Sequence, residues 1–217
     1  MLPFKDCTLD QLDEMFGLKP LPLKQMPVLQ AWLNGKNEIS EQERGYVSLL
    51  REYLQEHAED WNEQELSMHF IGPMFALVKF DYERRFSLFA QRPLNGAVEG
   101  TEMGGRPDGL IATGYRRPQK PYFCFQEYKK EKDPEGDPQA QVLAAMLVAQ
   151  EINEHRFPVY GCYVRGRLWF FMALRGKEYA VSQGHLATRE DIFDIFRILK
   201  VLKQMIIERV SNDATEG

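Results

Sequence analysis

The sequence predicts a single α/β domain, with a mixed β-sheet flanked by helices and an N-terminal helical extension. A chain of 217 residues with 44% hydrophobic and 27% charged residues has the size and composition of one globular domain with a sizeable core. Helical spacing of apolar residues dominates the first part of the chain, whereas strand patterns and turn signals dominate the middle. We therefore expect a helical extension over residues 1–60 that packs on a core over residues 61–217.

Two capping signals define helices in the N-terminal extension. Thr8 and Gln11 have the spacing of a capping box and predict a short helix through Phe16. The segment GLKPLPLKQMP that follows contains three prolines and predicts an extended arm. Ser40 and Glu43 then predict a second capping box and a longer helix.

The core is expected to begin with a helix and three strands. The helix is predicted near residues 62–78, with a kink or interruption at Pro73. The glycine-rich stretch GTEMGG is predicted to be a loop that delivers Asp108 to the second strand. The segment GYRRPQKP is too rich in proline to continue the ladder between the second and third strands. The strands are predicted near residues 84–91, 106–112 and 122–129.

The C-terminal part of the chain alternates between helix and strand signals. Asp137 and Pro138 predict the start of a helix with one core face that runs to about Asn153. Thr188 and Asp191 predict the start of a last helix with a broad apolar face. That face has two expected uses, packing on the core or forming a homodimer. The strands between these helices are predicted over residues 158–164, 168–174 and 177–181.

A charged pair continues an aromatic strand in the middle of the chain. Period-two alternation predicts four side chains on one face of the sheet: Phe123, Phe125, Glu127 and Lys129. Charged side chains on a buried aromatic face are costly unless a partner compensates them. Two arrangements meet this condition. One is a solvent-facing strand end with a structural Glu127–Lys129 pair, and the other is a metal site with Glu127 as a ligand.

A second carboxylate lies upstream, in the segment GRPDGLI. Asp108 begins an apolar strand there, among residues that suit a tight bend. Eighteen residues separate Asp108 from Glu127, which suits two adjacent strands joined by one loop. Because adjacent strands lie about 4.7–4.9 Å apart, the two carboxylates could hold one Mg²⁺ ion between their oxygens.

The pattern of PD, a loop and a strand ending in E-x-K resembles the signature of the PD-(D/E)XK nuclease superfamily. The predicted elements over residues 62–174 also follow the α-β-β-β-α-β order of its restriction endonuclease-like core. The resemblance implies a nuclease in which Asp108 and Glu127 bind Mg²⁺ or Mn²⁺. It implies that Lys129 orients or deprotonates the attacking water and stabilises charge on the phosphate. The implied partner is nucleic acid, with DNA expected.

The resemblance also implies catalytic residues on the flanking helices. Many members carry a glutamate on the first core helix, ten residues before a proline. Glu63 has this spacing from Pro73 and is expected to face inward as a metal ligand, with Glu65 as the alternative. Members related to RecB-like nucleases add a glutamine after E-x-K, which Gln141 matches in phase better than Gln139. The alternatives without a catalytic role are that the glutamates are ordinary carboxylates of a first helical turn and that the glutamines are surface amides.

Charge is distributed unevenly along the chain. The 27 basic and 32 acidic side chains give a net charge of −5, which argues against a general nucleic-acid coat protein. Residues 1–70 hold 6 basic and 13 acidic side chains, or −7, so this extension is interpreted as a partner-binding or autoinhibitory segment. A basic strip follows in the middle of the chain, either a solvated loop or a phosphate-binding face. Its candidate nucleic-acid contacts are Arg116, Arg117, Lys120, Lys130 and Lys132.

Other classes of function receive little support from the sequence. Three widely spaced cysteines and four histidines without ligand spacing disfavour disulfides and zinc. The chain shows no secretory pattern and no apolar run long enough to span a bilayer, so a soluble cytoplasmic protein is expected. Two alternatives to the nuclease stay open. One is a catalytically inactive binding or scaffolding protein of the same fold, and the other is an ion-pair network without a metal.

Overall fold

The fold is described from a computed structural model, which covers residues 1–132 and 136–213. The helices are α1 (Leu9–Phe16), α2 (Pro27–Asn34), α3 (Glu41–His57), α4 (Glu63–Leu66), α5 (Gly72–Val78), α6 (Pro138–Ile152) and α7 (Asp191–Asp213). The first six strands are β1 (Leu2–Pro3), β2 (Lys19–Pro20), β3 (Asp81–Tyr82), β4 (Phe86–Ala90), β5 (Leu94–Val98) and β6 (Thr101–Gly105). The others are β7 (Gly109–Thr113), β8 (Gln119–Lys129), β9 (Val159–Arg165), β10 (Leu168–Arg175), β11 (Glu178–Val181) and β12 (His185–Leu186).

Two sheets organise the part of the chain that the structure describes. A nine-stranded mixed sheet has the order β2-β11-β10-β9-β8-β7-β4-β3, with β12 paired to β10. In it β4, β7 and β8 form an antiparallel meander, and α6 crosses over to place β9 parallel to β8. A three-stranded sheet has the order β1-β6-β5. The predicted class, a mixed α/β fold with helices flanking the sheet, is therefore confirmed.

Helix α6 lies between the two sheets. It contacts β8 and β9 of the large sheet and β5 and β6 of the small one, and every residue from Ala140 to Gln150 is buried. The Asp137 side chain accepts a hydrogen bond from Ala140 N at 3.1 Å, and Pro138 occupies the first helical turn as predicted. The sequence predicted one core face, but two sheets bury this helix on all sides.

The predicted caps of the N-terminal helices are confirmed. Thr8 Oγ1 accepts a hydrogen bond from Gln11 N at 3.4 Å at the start of α1. Ser40 and Glu43 form both bonds of a capping box at the start of α3, with lengths of 3.2 and 2.8 Å. These contacts lie within four residues of chain, so local sequence determines them.

The predicted extended arm between α1 and α3 is only partly extended. Its residues form β2, which pairs with β11, and then a 3₁₀ turn over Leu23–Gln25. Helix α2 was not predicted. It begins at Pro27, which is accepted at the first helical position because its missing N–H would have no partner there. Trp32 of this helix is fully buried, and its Nε1 donates to Ile198 O of α7 at 2.8 Å.

The predicted interruption at Pro73 takes the form of a π turn. Helices α4 and α5 are joined by π-helical residues Ser67–Ile71, and Gly72 N donates to Ser67 O. Proline has no N–H to donate, so the helix changes its hydrogen-bond pattern directly before Pro73 instead of ending.

The prediction of a loop over GTEMGG is wrong. Residues Thr101–Gly105 form β6, which pairs antiparallel with β5 and parallel with β1. Phe4 packs so closely on this strand that a Cβ at Gly105 would lie 2.6 Å from its ring. Glycine at position 105 therefore lets the Phe4 ring pack directly on β6. The strand that pairs with β6 on this side, β1, comes from the distant N-terminus.

The third strand of the meander begins earlier than predicted. Gln119–Pro121 belong to β8 even though they are part of the proline-rich segment, and Gln119 pairs with Thr113. Thr113 Oγ1 lies 2.9 Å from Gln119 O and 2.8 Å from Lys120 O, and its single proton is donated to one of these carbonyls or shared between them. A side-chain hydroxyl thus replaces part of the regular ladder beside proline.

A β-bulge changes the predicted face of one aromatic residue. Ile111 pairs with Cys124 and Ala112 pairs with Tyr122, which leaves Phe123 without a partner on β7. One extra residue reverses the alternation, so Phe123 belongs to the apolar cluster opposite that of Phe125. The prediction that Phe123 shares a face with Glu127 and Lys129 is wrong.

The last helix begins at Asp191, three residues after the predicted cap. Asp191 Oδ2 accepts a hydrogen bond from Leu186 N at 2.9 Å. The apolar face is buried against α2, α3 and α5 of the same chain, and a homodimer through this helix stays a prediction. The predicted core residues of the face are Ile192, Ile195, Phe196, Leu199 and Leu202. Among the described residues, no helix has the length and apolar character needed to cross a membrane.

Candidate active site

The meander brings the two predicted carboxylates to the same end of the sheet. Asp108 directly precedes β7, and Glu127 and Lys129 end β8. Gly109 pairs with Gln126 across the antiparallel ladder, which places Asp108 beside Glu127. The Asp108 carboxylate is fixed by a hydrogen bond from Tyr128 N to its Oδ2, with a length of 2.8 Å.

Lys129 lies between two carboxylates. Its Nζ is 3.1 Å from Glu127 Oε1 and 3.7 Å from Glu63 Oε1. The side chains of Lys129 and Glu127 are each only 11% exposed, whereas that of Glu63 is 42% exposed. The structure therefore brings together the predicted Lys129, Glu127 and Glu63, with Glu63 at the outer rim.

Burial raises the pKa values of both carboxyl groups of the site. Burial raises the pKa of Asp108, and the Tyr128 N–H and Lys129 only partly oppose this rise. Burial and the Asp108 carboxylate raise the pKa of Glu127 to about 7. Burial alone would lower the pKa of Lys129, but the carboxylates of Glu127, Glu63 and Asp108 raise it above its ordinary value. Lys129 is therefore a cation at neutral pH.

The chemistry of the Asp108–Glu127 pair fits a hydrated divalent cation. Carboxylate oxygens are the ligands that Mg²⁺ and Mn²⁺ prefer, and Mg²⁺ is often held by one or two carboxylates with waters and substrate phosphates. A divalent ion would also relieve the repulsion that raises the Glu127 pKa. Among the described residues, no group of three or more His, Cys, Asp or Glu side chains is arranged to hold a metal. Glu63 does not complete a three-carboxylate set and instead faces Lys129.

The two alternatives that the sequence left open on the helices have different environments. Glu65 Oε2 accepts a hydrogen bond from Asn62 N at 2.9 Å in a capping box, which occupies it away from the site. Gln139 Oε1 accepts from Tyr163 OH at 3.0 Å. Gln141 is 8% exposed and lines the same cleft as Glu127 and Lys129.

The site opens on a cleft of about 590 Å³. One side of the cleft is formed by Glu127, Lys129 and Gln141. Pro107, the residue directly before Asp108, also lines it. The opposite side is built by the N-terminal segment, the start of β5 and the end of β6. The residues of that side are Met1, Pro3, Phe4, Lys5, Pro93, Asn95, Gly104, Gly105 and Arg106.

Two cations in this lining were not predicted from the sequence. Lys5 and Arg106 are both exposed and face the cleft. Arg106 directly precedes the PD motif, so its position in the motif could have identified it. Lys5 carries no local signal, because only the pairing of β1 with β6 brings the N-terminus to this site.

The predicted basic strip does not form one surface. Its members are Arg116, Arg117, Lys120, Lys130 and Lys132. Counted along the ladder, the first three lie roughly 20 Å from Lys129, whereas the last two directly follow β8. Lys120 pairs with Glu154 at 3.0 Å and Lys132 pairs with Glu59 at 3.2 Å. Contacts of these residues with nucleic acid stay predictions.

A buried network supports the Asp108 turn from the other face of the sheet. Tyr128 OH donates to Gln126 Oε1 at 2.5 Å, and both side chains are buried. A Cβ at Gly109 would collide with Gln126 Oε1 and would lie 3.1 Å from Tyr128 OH. Glycine at this position therefore allows the two strands to pack closely directly after Asp108.

The assembled site combines a buried and a half-buried carboxylate, a protonated lysine and a cleft with further cations in its lining. Such an arrangement can bind a divalent ion and a phosphate group next to each other. No protein-family model matches the sequence, and no curated protein matches it significantly.

Proposed function

We propose that the chain is a Mg²⁺- or Mn²⁺-dependent nuclease that hydrolyses phosphodiester bonds of DNA. The observation that carries this proposal is the pairing of the buried Glu127 with the half-buried Asp108, beside Lys129 at the edge of the cleft. Perturbed carboxylates next to a cleft are typical of functional sites. The order of α4–α5, β4, β7, β8, α6 and β9 agrees with the α-β-β-β-α-β core of the PD-(D/E)XK nucleases, which supports the same proposal.

In this proposal Asp108 and Glu127 hold the metal ion. A bound Mg²⁺ or Mn²⁺ ion supplies Lewis acidity, which activates water and neutralises charge on the phosphate. The Tyr128 N–H orients the Asp108 carboxylate through its 2.8 Å hydrogen bond. Because the pKa of Lys129 is raised by its carboxylate neighbours, this residue acts as a cation that stabilises the developing charge, and not as a base.

The remaining residues have supporting roles. Glu63 lies 3.7 Å from the Lys129 ammonium and orients it. Gln141 contributes a buried amide to the cleft, where it would hydrogen bond to the substrate. Lys5 and Arg106 would neutralise the phosphates that flank the reacting one.

Cleavage of supercoiled plasmid and of single-stranded DNA, with Mg²⁺, Mn²⁺ or EDTA, tests the proposal. Asp108→Asn and Glu127→Gln should each reduce the rate at least about 100-fold. Glu65→Gln is a matched control, because it removes a carboxylate from the same helix as Glu63 but retains a capping-box residue. Equal rates in wild type and Asp108→Asn would contradict the proposal.

One observation favours a competing function. Lys129 already contacts Glu127 and Glu63, as expected for a structural ion-pair network in an inactive binding protein. Thermal unfolding distinguishes the two interpretations. The nuclease requires a metal-dependent rise in melting temperature that the Asp108→Asn/Glu127→Gln variant loses, whereas the network requires none.

A further inference from the structure

A second groove runs along the free edge of the nine-stranded sheet. β3 pairs with β4 only at Phe86 and Ser87, so in the described part of the chain the end of β4 has no strand on the side away from β7. Helix α5 and the residues after β7 form the sides of a groove of about 590 Å³ at this edge. We call it the edge groove, and its lining includes Phe75, Lys79, Leu88, Ala90, Arg92 and Arg116.

The edge groove is positively charged. Lys79, Arg92 and Arg116 are exposed along its length, and none of them forms an ion pair among the residues that the structure describes. Among the described residues, Asp81 is the one acidic residue that lines it. Burial lowers the pKa of the nearby Lys203, and repulsion from Lys79 lowers it further. Unpaired cations that follow one edge are the arrangement that binds a phosphate backbone.

The groove meets the candidate active site. Arg92 lines the edge groove and the next residue, Pro93, lines the cleft that contains Glu127 and Lys129. At the same turn Gln91 N donates to Asp108 O at 3.1 Å. A DNA strand that lies in the groove would therefore enter the cleft close to Asp108.

An exposed aromatic residue, Tyr115, lies at the end of the groove away from the candidate active site. Tyr115 is 53% exposed, and the Arg84 guanidinium stacks over its ring at 5.0 Å. Exposed rings beside a basic groove are typical platforms for unstacked bases, and arginine planes add to the same contact.

We propose that the edge groove binds the backbone of single-stranded DNA and guides it to the cleft. This inference rests on the proposed nuclease function for its substrate. The five residues of β4 extend about 13 Å, which corresponds to about four stacked nucleotides. An exposed ring beside the cations can stack on an unpaired base, which a duplex does not offer, so we expect the groove to bind one strand and not a duplex.

Binding without cleavage tests the groove separately from catalysis. Fluorescence anisotropy of a labelled mixed-sequence oligonucleotide, single-stranded or duplex, is measured in EDTA with the full chain at several salt concentrations. The groove variant removes the three cations: K79A/R92A/R116A. A matched control removes three exposed cations outside the groove, with the same change in net charge: K24A/R175A/R189A.

The groove variant should bind single-stranded DNA about tenfold or more weakly, and the slope of log K against log salt should become shallower by about 2. The control variant should bind like wild type, and duplex should bind wild type more weakly than the single strand. Equal weakening by both variants, a preference for duplex, or no binding of either DNA would overturn the proposal. Metal-dependent cleavage that persists in the groove variant would leave the nuclease proposal intact, so the two can fail independently.

Discussion

Replacement of Glu127 by glutamine should stabilise the metal-free protein at alkaline pH. The side chain is 11% exposed, and burial with the Asp108 carboxylate raises its pKa to about 7 from the ordinary 4.5. This rise in pKa means that ionisation of Glu127 destabilises the folded state by about 3 kcal/mol relative to the unfolded chain. It already includes the favourable contact with Lys129, 3.1 Å away. Glutamine has the shape of the protonated side chain and avoids the loss.

The effect has a defined pH window. Because the folded pKa of Glu127 is raised, its contribution to stability is present below pH 4.5 and is lost as the pH rises through about 7. Glu127→Gln and wild type should therefore have similar stability near about pH 4.5 and differ by about 3 kcal/mol near about pH 8. For a chain of this length the difference corresponds to about 6–12 °C in melting temperature.

Urea unfolding in EDTA at both pH values measures the difference. Glu63→Gln is the matched control, because this side chain is 42% exposed at the rim and should change stability by less than about 1 kcal/mol. A Glu127→Gln variant no more stable than wild type at alkaline pH would refute the reasoning. So would a gain of equal size at both pH values, since it would not arise from ionisation of Glu127.

Two further predictions concern packing. Gly109→Ala should destabilise the chain by about 1–3 kcal/mol, because its methyl group collides with the buried Gln126 amide. In contrast, Gly45→Ala on the exposed surface of α3 meets no atom within 4 Å and should be neutral or stabilising by up to about 1 kcal/mol. Urea unfolding distinguishes them, and equal effects would contradict the packing argument. Trp32→Ala should cost about 3–5 kcal/mol, since Trp32 is fully buried and donates to Ile198 O of α7. A cost below about 1 kcal/mol would show that α2 contributes little to the core.

The candidate site also places a constraint on stability. Glu127 is buried and Asp108 is half-buried beside it, which disfavours their ionised forms in the absence of a divalent cation, even with Lys129 nearby. Proteins commonly retain such costly groups where function requires them. A rise in stability on removal of Glu127, combined with loss of the metal effect, would be the signature expected of a metal site.

Local sequence determined the capped helices and the carboxylate pair. Thr8, Ser40 and Asp137 cap helices through bonds to residues three positions away, and such short-range signals do not depend on the rest of the fold. The proximity of Asp108 and Glu127 also followed from the sequence, because two strands joined by one loop form adjacent partners in an antiparallel meander.

Only the tertiary structure decided which distant segments meet. GTEMGG became a strand because β1, from the N-terminus, and β5 supply its partners, and this same pairing brings Lys5 to the cleft. The face of Phe123 depends on a bulge, which is set by the register with β7 and leaves no trace in the alternation of β8 itself. Helix α6 reads as having one apolar face but is buried on every side because two sheets enclose it. Strand pairing and layer packing are contacts between residues far apart in the chain, and they override local preference.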